Sequence, residues 1–329
     1  MKPRITLAIL AYNQSRLIEE AVSSGLAQIC EPIEILLSDD ASSDSTFARM
    51  QAQAEAYSGP HHVVLRRNPR NLGIGEHFNI VLREAHGELL VLMAGDDISL
   101  PTRVALTAAA WDGSGGRVDL IACPLIDMSH QGVDLGILEV DDLAHWKSLD
   151  DWVRRRPRVI GAGHAITRRL FERFGPLPPR AAHEEEINTF RALCSGGAMT
   201  LRQPLVRYRR GGVSQQMRTF TGANYLAWVQ RQNSDQLAQH AQWLADAKVA
   251  GVYDVVAAAT RREHDREQFV RDLLAAPDRP SRLRVTLDAH RVELGWRMRK
   301  LLYFQLPELA ANIRRLQAQV KRLRHGEQR

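Results

Sequence analysis

The sequence predicts an α/β fold: a mostly parallel sheet flanked by helices, followed by a helical C-terminal extension. Three observations carry this. Short apolar runs alternate with amphipathic stretches over the first hundred residues, two of those runs end in paired carboxylates, and beyond Thr219 nearly every stretch has helical periodicity.

Ile5–Leu10 is a short apolar run of the kind expected of a strand buried on both faces. Ser15 is placed to cap the next helix, with Leu17, Ile18, Ala21 and Val22 on its inner side. Ile33–Leu37 reads as the second strand and runs into Ser38, Asp39 and Asp40; Ser45–Ala56 reads as a helix and His62–Leu65 as the third strand. Asn79–Ala85 follows as a helix, then Glu88–Met93 as a strand ending in Gly95, Asp96 and Asp97. Strand–helix alternation implies parallel pairing, and such sheets bind ligands beyond the carboxyl ends of their strands. Both acid clusters sit there.

From Thr102 to Ser214 the pattern loosens, with strand-like Asp119–Cys123, Val159–Gly161 and Leu205–Tyr208 and a helix over Glu185–Leu193. We read one domain over residues 1–215, divided near residue 105, and a helical extension over 216–329, broken at Pro277–Pro280 and restarted at Pro307.

Composition narrows the class. Hydrophobic content of 44% and charged content of 25% fit a globular protein of 329 residues. Cys30, Cys123 and Cys194 are scattered and odd in number, which argues against a disulfide framework or thiolate metal site. No signal peptide and no run of the ~20 apolar residues that spans a bilayer is evident. The expectation is a cytoplasmic protein, soluble or peripheral at the inner face of the cell membrane. The net charge of +6 is uneven: residues 280–329 carry twelve Lys or Arg against four Asp or Glu, so the remainder is slightly acidic.

Adjacent carboxylates after an apolar strand repel one another and lose solvation, a cost that a cation or ligand donors relieve. Asp96–Asp97 therefore suits Mg²⁺ or Mn²⁺ bridging to a diphosphate. Asp39 and Asp40, followed by small residues, make a tight turn with exposed acceptors for a nucleobase or ribose; an Asx turn capping the next helix accounts for them equally well. Glu184–Glu186 open an amphipathic helix, where acids favour the helix dipole and one can serve as a general base. Arg209 and Arg210 precede Gly211 and Gly212, a basic and pliable loop.

Taken in order, these segments resemble the family 2 glycosyltransferases of the GT-A (Rossmann-like) fold, the inverting type of bacterial cell-surface polysaccharide synthesis. Ile9–Asn13, Glu34–Thr46, Asn71–Gly73 with Asn79, Leu90–Pro101, Gly175–Leu177 with Glu184, Glu185 and Arg191, and Pro204–Ser214 carry the likeness, over about residues 3–215. The resemblance implies that 1–105 is a nucleotide-binding half and 106–215 an acceptor half. It implies that Ala11, Tyr12, Asn13, Asp39, Asp40, Asn71, Gly73 and Asp96 line the nucleotide, and that Asp97 ligates Mn²⁺ or Mg²⁺. Glu185 is then the catalytic base, Arg209 and Arg210 approach the diphosphate, and Glu184 and Arg191 support the site or contact acceptor. Three positions depart from the pattern: Ala94 stands where an acid is frequent, the base is Glu rather than Asp, and Arg210 stands near a frequent His.

The implied reaction moves a sugar from a UDP-, dTDP- or GDP-sugar to a hydroxyl of a glycan or lipid-linked acceptor. A nucleotidyltransferase is the nearest alternative, but Ala11–Ser15 offers no Gly-rich triphosphate loop; a non-catalytic sugar-nucleotide binding protein or scaffold is another, against which the acid pair argues. Nucleic acid is not expected as a partner, because residues 308–329 interleave no aromatics with their basic residues. The tail has two readings. Leu309, Ile313, Leu316, Val320 and Leu323 form a short heptad seam for a homodimer, whereas the Arg-rich helices with Trp296, Leu301, Leu302, Tyr303 and Phe304 suit an anionic membrane surface.

Overall fold

A computed structural model describes residues 4–179, 181, 183–210 and 221–326. The opening alternation is β1 (Ile5–Ala11), α1 (Ile18–Leu26), β2 (Glu34–Asp39), α2 (Thr46–Ala56), β3 (His62–Arg67), α3 (Ile74–Glu84) and β4 (Leu89–Ala94). Next come β5 (Ile98–Ser99), α4 (Arg103–Gly113), β6 (Leu120–Ala122), β7 (Leu125–Met128), β8 (Asp134–Leu138) and α5 (Leu149–Arg154). β9 (His164–Thr167), α6 (Arg168–Phe174), α7 (Glu184–Leu193), β10 (Ala198–Thr200) and β11 (Val206–Arg209) complete the α/β part. The rest is helical: α8 (Gly222–Ala250), α9 (Tyr253–Ala275), α10 (Arg279–Asp288), α11 (Leu294–Gln305) and α12 (Pro307–Gly326).

The main sheet has seven strands in the order β10-β6-β9-β4-β1-β2-β3, and within it β1, β2, β3 and β4 pair in parallel. Every residue of β1 is buried, because helices cover both faces of a central parallel strand. Leu7, Ile9, Ile35, Leu37 and Val91 pack against Ile18, Val22, Met50 and Val104 from the helices. A second sheet, β5-β11-β7-β8, starts directly after the second acid turn.

Three local expectations need correction. Val159–Gly161 is not a strand: Gly161–Gly163 forms a 3₁₀ turn, and the strand is β9, antiparallel between β4 and β6. A side chain at Gly163 would lie 2.7 Å from the Cys123 carbonyl, so the turn there needs glycine. The helix expected from Asn79 begins at Ile74, behind Gly73 with φ 80°. Ser15 does not cap α1, which starts after Leu17 without a side-chain cap; the Ser15 N–H instead donates to Asp44 at 3.1 Å.

The chain divides into two compact units, Met1–Gln216 with Ala245–Tyr253, and Met217–Leu244 with Asp254–Arg329. Ala245–Tyr253, read from sequence as extension, thus belongs to the first unit. The second unit has its own core of Tyr225, Val229, Phe269, Leu273, Leu301 and Phe304. Its buried Arg297 donates to the carbonyls of Thr286 and Leu287 at 2.7 and 3.1 Å, satisfying the C-terminal end of α10.

Candidate active site

β1 lies between β2 and β4, and its register sets Ala11 opposite Asp39 and Leu10 opposite Ala94. Both acid turns therefore leave the sheet at one end, on either side of Tyr12 and Asn13. Asn13 has φ 52°, a left-handed conformation that Asn tolerates. Its Oδ1 accepts the Ser43 N–H at 2.8 Å, and its own N–H donates to Ser42 Oγ at 2.9 Å. Asp44 fastens the same turn. Partial burial pushes its carboxyl up, but hydrogen bonds from Thr46 and Ser15 win and hold it at about 2.

The carboxylates expected as exposed acceptors are in fact buried, Asp39 at 0% and Asp40 at 2% exposure. Asp39 accepts the Ser42 N–H at 2.9 Å and pairs with Arg67 at 3.1 Å. Asp40 accepts from Asn68 Nδ2 at 2.7 Å, from the Leu72 N–H at 3.0 Å and from the Gly73 N–H at 2.9 Å. Its carboxylate is the clamp that fixes Asn71–Gly73 beside the strand ends, while Asn71 Oδ1 accepts the Gly73 N–H at 2.9 Å. Further along α3, buried Asn79 exchanges both amide bonds with Leu177, Nδ2 to the carbonyl at 2.8 Å and Oδ1 from the N–H at 2.7 Å. Gly75 lets the same segment approach: a Cβ there would meet the Pro178 and Pro179 carbonyls at 2.4 and 2.8 Å.

Gly95 serves the second acid turn similarly, since a Cβ would meet Gln14 Oε1 at 2.5 Å and Ala11 Cβ at 3.0 Å. Gln14 hydrogen-bonds the Asp96 side chain, joining the β1 turn to the acid pair. Asp97 is 1% exposed. Its Oδ1 accepts the Arg209 N–H at 2.9 Å, whereas its buried Oδ2 has no hydrogen-bond partner among the described residues. Burial first, and the charge of Asp96 second, push the Asp97 carboxyl up to about 8; burial also raises Asp96. A partnerless carboxylate oxygen beside a second acid, both raised, is a donor set of hard oxygens that fits Mg²⁺ or Mn²⁺.

Arg209 is buried, and its guanidinium turns inward. Nε donates to the Asp96 carbonyl at 3.0 Å, Nη1 to the His130 carbonyl at 3.1 Å, and Nη2 pairs with Glu20. β11 pairs with β5, setting Val206 opposite Ser99, and so carries Arg209 back over the acid turn. Arg210 is half exposed, and its Nε donates to Asp127 Oδ1 at 2.6 Å. Gly211–Ser214 lie outside the described residues.

At the start of α7, a Cβ placed on Gly161 would lie 2.8 Å from Glu184 Oε1 and 3.7 Å from Glu185 Oε2, so the acid pair packs on the Gly161–Gly163 turn. Burial and the charge of Glu185 push Glu184 up to about 8. Burial thus favours the protonated form of Glu184. His183, Glu185 and Glu186 bring ligating atoms within 4.8 Å of one another, and His183 is raised by its hydrogen bond to Glu185. Arg191, six residues after Glu185, is 1% exposed and pairs with Asp246 at 2.7 Å.

Sequence reasoning missed the groups beneath the site. Arg103 is fully buried and donates to the Leu92 and Ala162 carbonyls at 2.7 and 2.9 Å, within electrostatic reach of Asp97. His164 is 1% exposed; burial first lowers it to about 4, the charge of Glu185 and the Gly161 backbone oppose this, and Arg103 adds to the lowering. Arg103 and the turn at 161–164 thus stand between the acid turn and the acid pair. The Gly161-Ala162-Gly163 spacing was the one local signal; nothing around Arg103 marks it as buried.

Residues 6–129 match the family model described as glycosyl transferase family 2. The putative glycosyltransferase EpsE of Bacillus subtilis is 31% identical over 102 residues, covering 31% of this chain and 36% of that protein. The succinoglycan biosynthesis protein ExoO of Rhizobium meliloti is 29% identical over 116 residues, covering 35% of this chain and 32% of that protein. The mannosyltransferase PcManGT of Pyrobaculum calidifontis, solved with GDP-Man and Mn2+, superposes with a TM-score of 0.53 at 19% identity, over 96% of this chain and 88% of that one. The last likeness shows the GT-A fold. The match to glycosyl transferase family 2 thus covers residues 6–129, the part of the chain that carries both acid turns. Its matches to curated relatives span about a third of their length or less, 15% to 36%.

Proposed function

We propose that the chain is a metal-assisted, inverting glycosyltransferase that moves a sugar from a nucleoside-diphosphate donor to a hydroxyl of a glycan or lipid-linked acceptor in cell-surface polysaccharide synthesis. The observation that carries this reading is Asp97 Oδ2, buried and unpartnered among the described residues at the carboxyl end of β4, in register with the Tyr12–Asn13 and Asp39–Asp40 turns. Asp97 and Asp96 would hold Mn²⁺ or Mg²⁺, and a divalent ion there supplies charge stabilisation to the leaving diphosphate. PcManGT, which was solved with GDP-Man and Mn2+, supports a donor and metal of this class.

The remaining chemistry belongs to the chain's own residues. The backbone of Ala11–Asn13 and the Asn71–Gly73 segment held by Asp40 bracket the base and ribose. Glu185, beside a protonated Glu184, takes the proton from the acceptor hydroxyl as that oxygen attacks the anomeric carbon. Arg209 steadies the acid turn from behind, and Arg210, half exposed, is the arginine free to approach phosphate by rotating off Asp127.

Release of nucleoside diphosphate from UDP-, dTDP- and GDP-sugars with Mn²⁺ tests the reading. Glu185→Gln should lower turnover roughly 10²–10⁴-fold while nucleotide binding survives. Normal turnover by that variant removes the base assignment.

A specific surface favours membrane attachment for the second unit. Leu294, Met298 and Leu302 are exposed at four-residue intervals on α11, beside exposed Arg291 and Arg299, a pattern suited to an anionic bilayer face. Among the described residues no helix is long and apolar enough to cross a membrane. Flotation with anionic but not neutral vesicles supports the reading. A dimer by light scattering, with no flotation, would assign the exposed Leu309, Leu316 and Val320 on α12 to a second copy instead.

A further inference from the structure

We propose that Asp246, at the C-terminal end of α8, is a positioning residue for the acid pair on α7. The proposal rests on the reading of Glu185 as the base, and it assigns a task to a part of the chain outside the matched segment of residues 6–129.

Asp246 belongs to Ala245–Tyr253, the piece of the C-terminal sequence that is part of the first unit. Its carboxylate meets Arg191 in a two-pronged pair, Nε to Oδ2 at 2.7 Å and Nη2 to Oδ1 at 3.1 Å. Both side chains are 1% exposed. A buried pair gives little net stability, because desolvation of both ions offsets their attraction. Two parallel bonds do fix the relative orientation of the groups that carry them. Arg191 also donates through Nη1 to the Gly175 carbonyl at 3.0 Å and lies over the Phe174 ring at 5.6 Å. One guanidinium therefore ties together α7, the end of α6 with the loop after it, and the end of α8.

The loop is itself fixed. Leu177, two residues after Gly175, is held by Asn79 on α3, and the Gly73 N–H preceding α3 is held by Asp40. A continuous set of bonds thus runs from the nucleotide side of the sheet to α7. Glu185 and Arg191 share this ten-residue helix, so a tilt about Arg191 moves the acid pair with it. Displacement of a catalytic group by about 1 Å can cost roughly 10²-fold in rate. Removing the Asp246 contact should therefore act on the chemical step rather than on donor binding.

The test uses the full chain and the diphosphate-release assay with Mn²⁺. In Arg191→Met/Asp246→Leu, an apolar pair replaces the ionic one, a change that is often neutral or stabilising. The expected result is a folded protein with unchanged thermal midpoint and donor KM but kcat lower by about 10²-fold. Parental kcat in this folded variant overturns the proposal, because the pair then serves packing alone. If the double variant does not fold, Asp246→Asn and Arg191→Lys, which keep volume and part of the bonding, are read for the same split of kcat from KM. Parental kcat in both overturns the proposal; a loss of kcat at constant KM supports it. Glu185→Gln in the same assay separates the two ideas. An active Glu185→Gln removes the base assignment, whereas an inactive one beside a fully active double variant removes only the role of Asp246.

Discussion

The backbone N–H of Arg209 donates to Oδ1 of Asp97 at 2.9 Å, while the buried Oδ2 of Asp97 has no hydrogen-bond partner among the described residues. The second sheet thus closes over one oxygen of the carboxylate and not over the other. With Ala94 two positions before Asp96, this turn offers few protein ligands, and on the proposed reading a bound diphosphate would complete the coordination.

Mn²⁺ affinity should therefore depend on bound nucleotide. Titrating free Mn²⁺ by electron paramagnetic resonance should show weak binding to the protein alone and strong binding once UDP or GDP is present. Asp97→Ala should weaken the nucleotide-dependent binding by about 10²-fold, at the upper end of what altered metal surroundings cost. Equal Mn²⁺ uptake with and without nucleotide would contradict this.

Gly161→Ala should lower kcat more than it affects donor KM. The added Cβ would sit 2.8 Å from Glu184 Oε1, and the carboxylate must give way. A loss of about tenfold or more is expected, since catalytic groups work within narrow geometric limits. A variant with parental kcat would place the acid pair outside the chemistry.

Asn79→Ala should destabilise the fold by roughly 2–6 kcal/mol, because the Leu177 N–H and carbonyl both lose their buried partner at about 1–3 kcal/mol each. Denaturant melts would measure this. A stability change below experimental error would mean that water replaces the amide.

Stability should fall on acidification. His164 is lowered from 6.5 to about 4 by burial, so the unfolded chain binds more protons than the folded one between those values. Its contribution is full above pH 6.5 and lost as pH falls through about 4, on the order of 3 kcal/mol. Glu184, raised to about 8, has the opposite sign: its contribution is full below pH 4.5 and lost as pH rises through about 8. Thermal melts of His164→Leu should show a shallower acid limb and an unchanged alkaline one.

Much of this protein was legible in its sequence. Apolar runs of the right length placed β1 to β4, because strands buried on both faces need continuous hydrophobic residues. Glycine and acid spacing then placed Asp39–Asp40, Asp96–Asp97 and Glu184–Glu185 at strand or helix ends. These are local properties: a periodicity, a cap, a run. β5, β7 and β8 escaped notice because short strands in a second sheet carry little pattern of their own; β8 is almost wholly exposed. The tertiary structure alone decided that Asp40 faces Gly73 rather than solvent, that Arg209 turns inward, and that Arg191 meets a carboxylate 55 residues away. Burial and long-range pairing arise only when distant segments pack, and a one-dimensional pattern holds no record of which polar group will meet which.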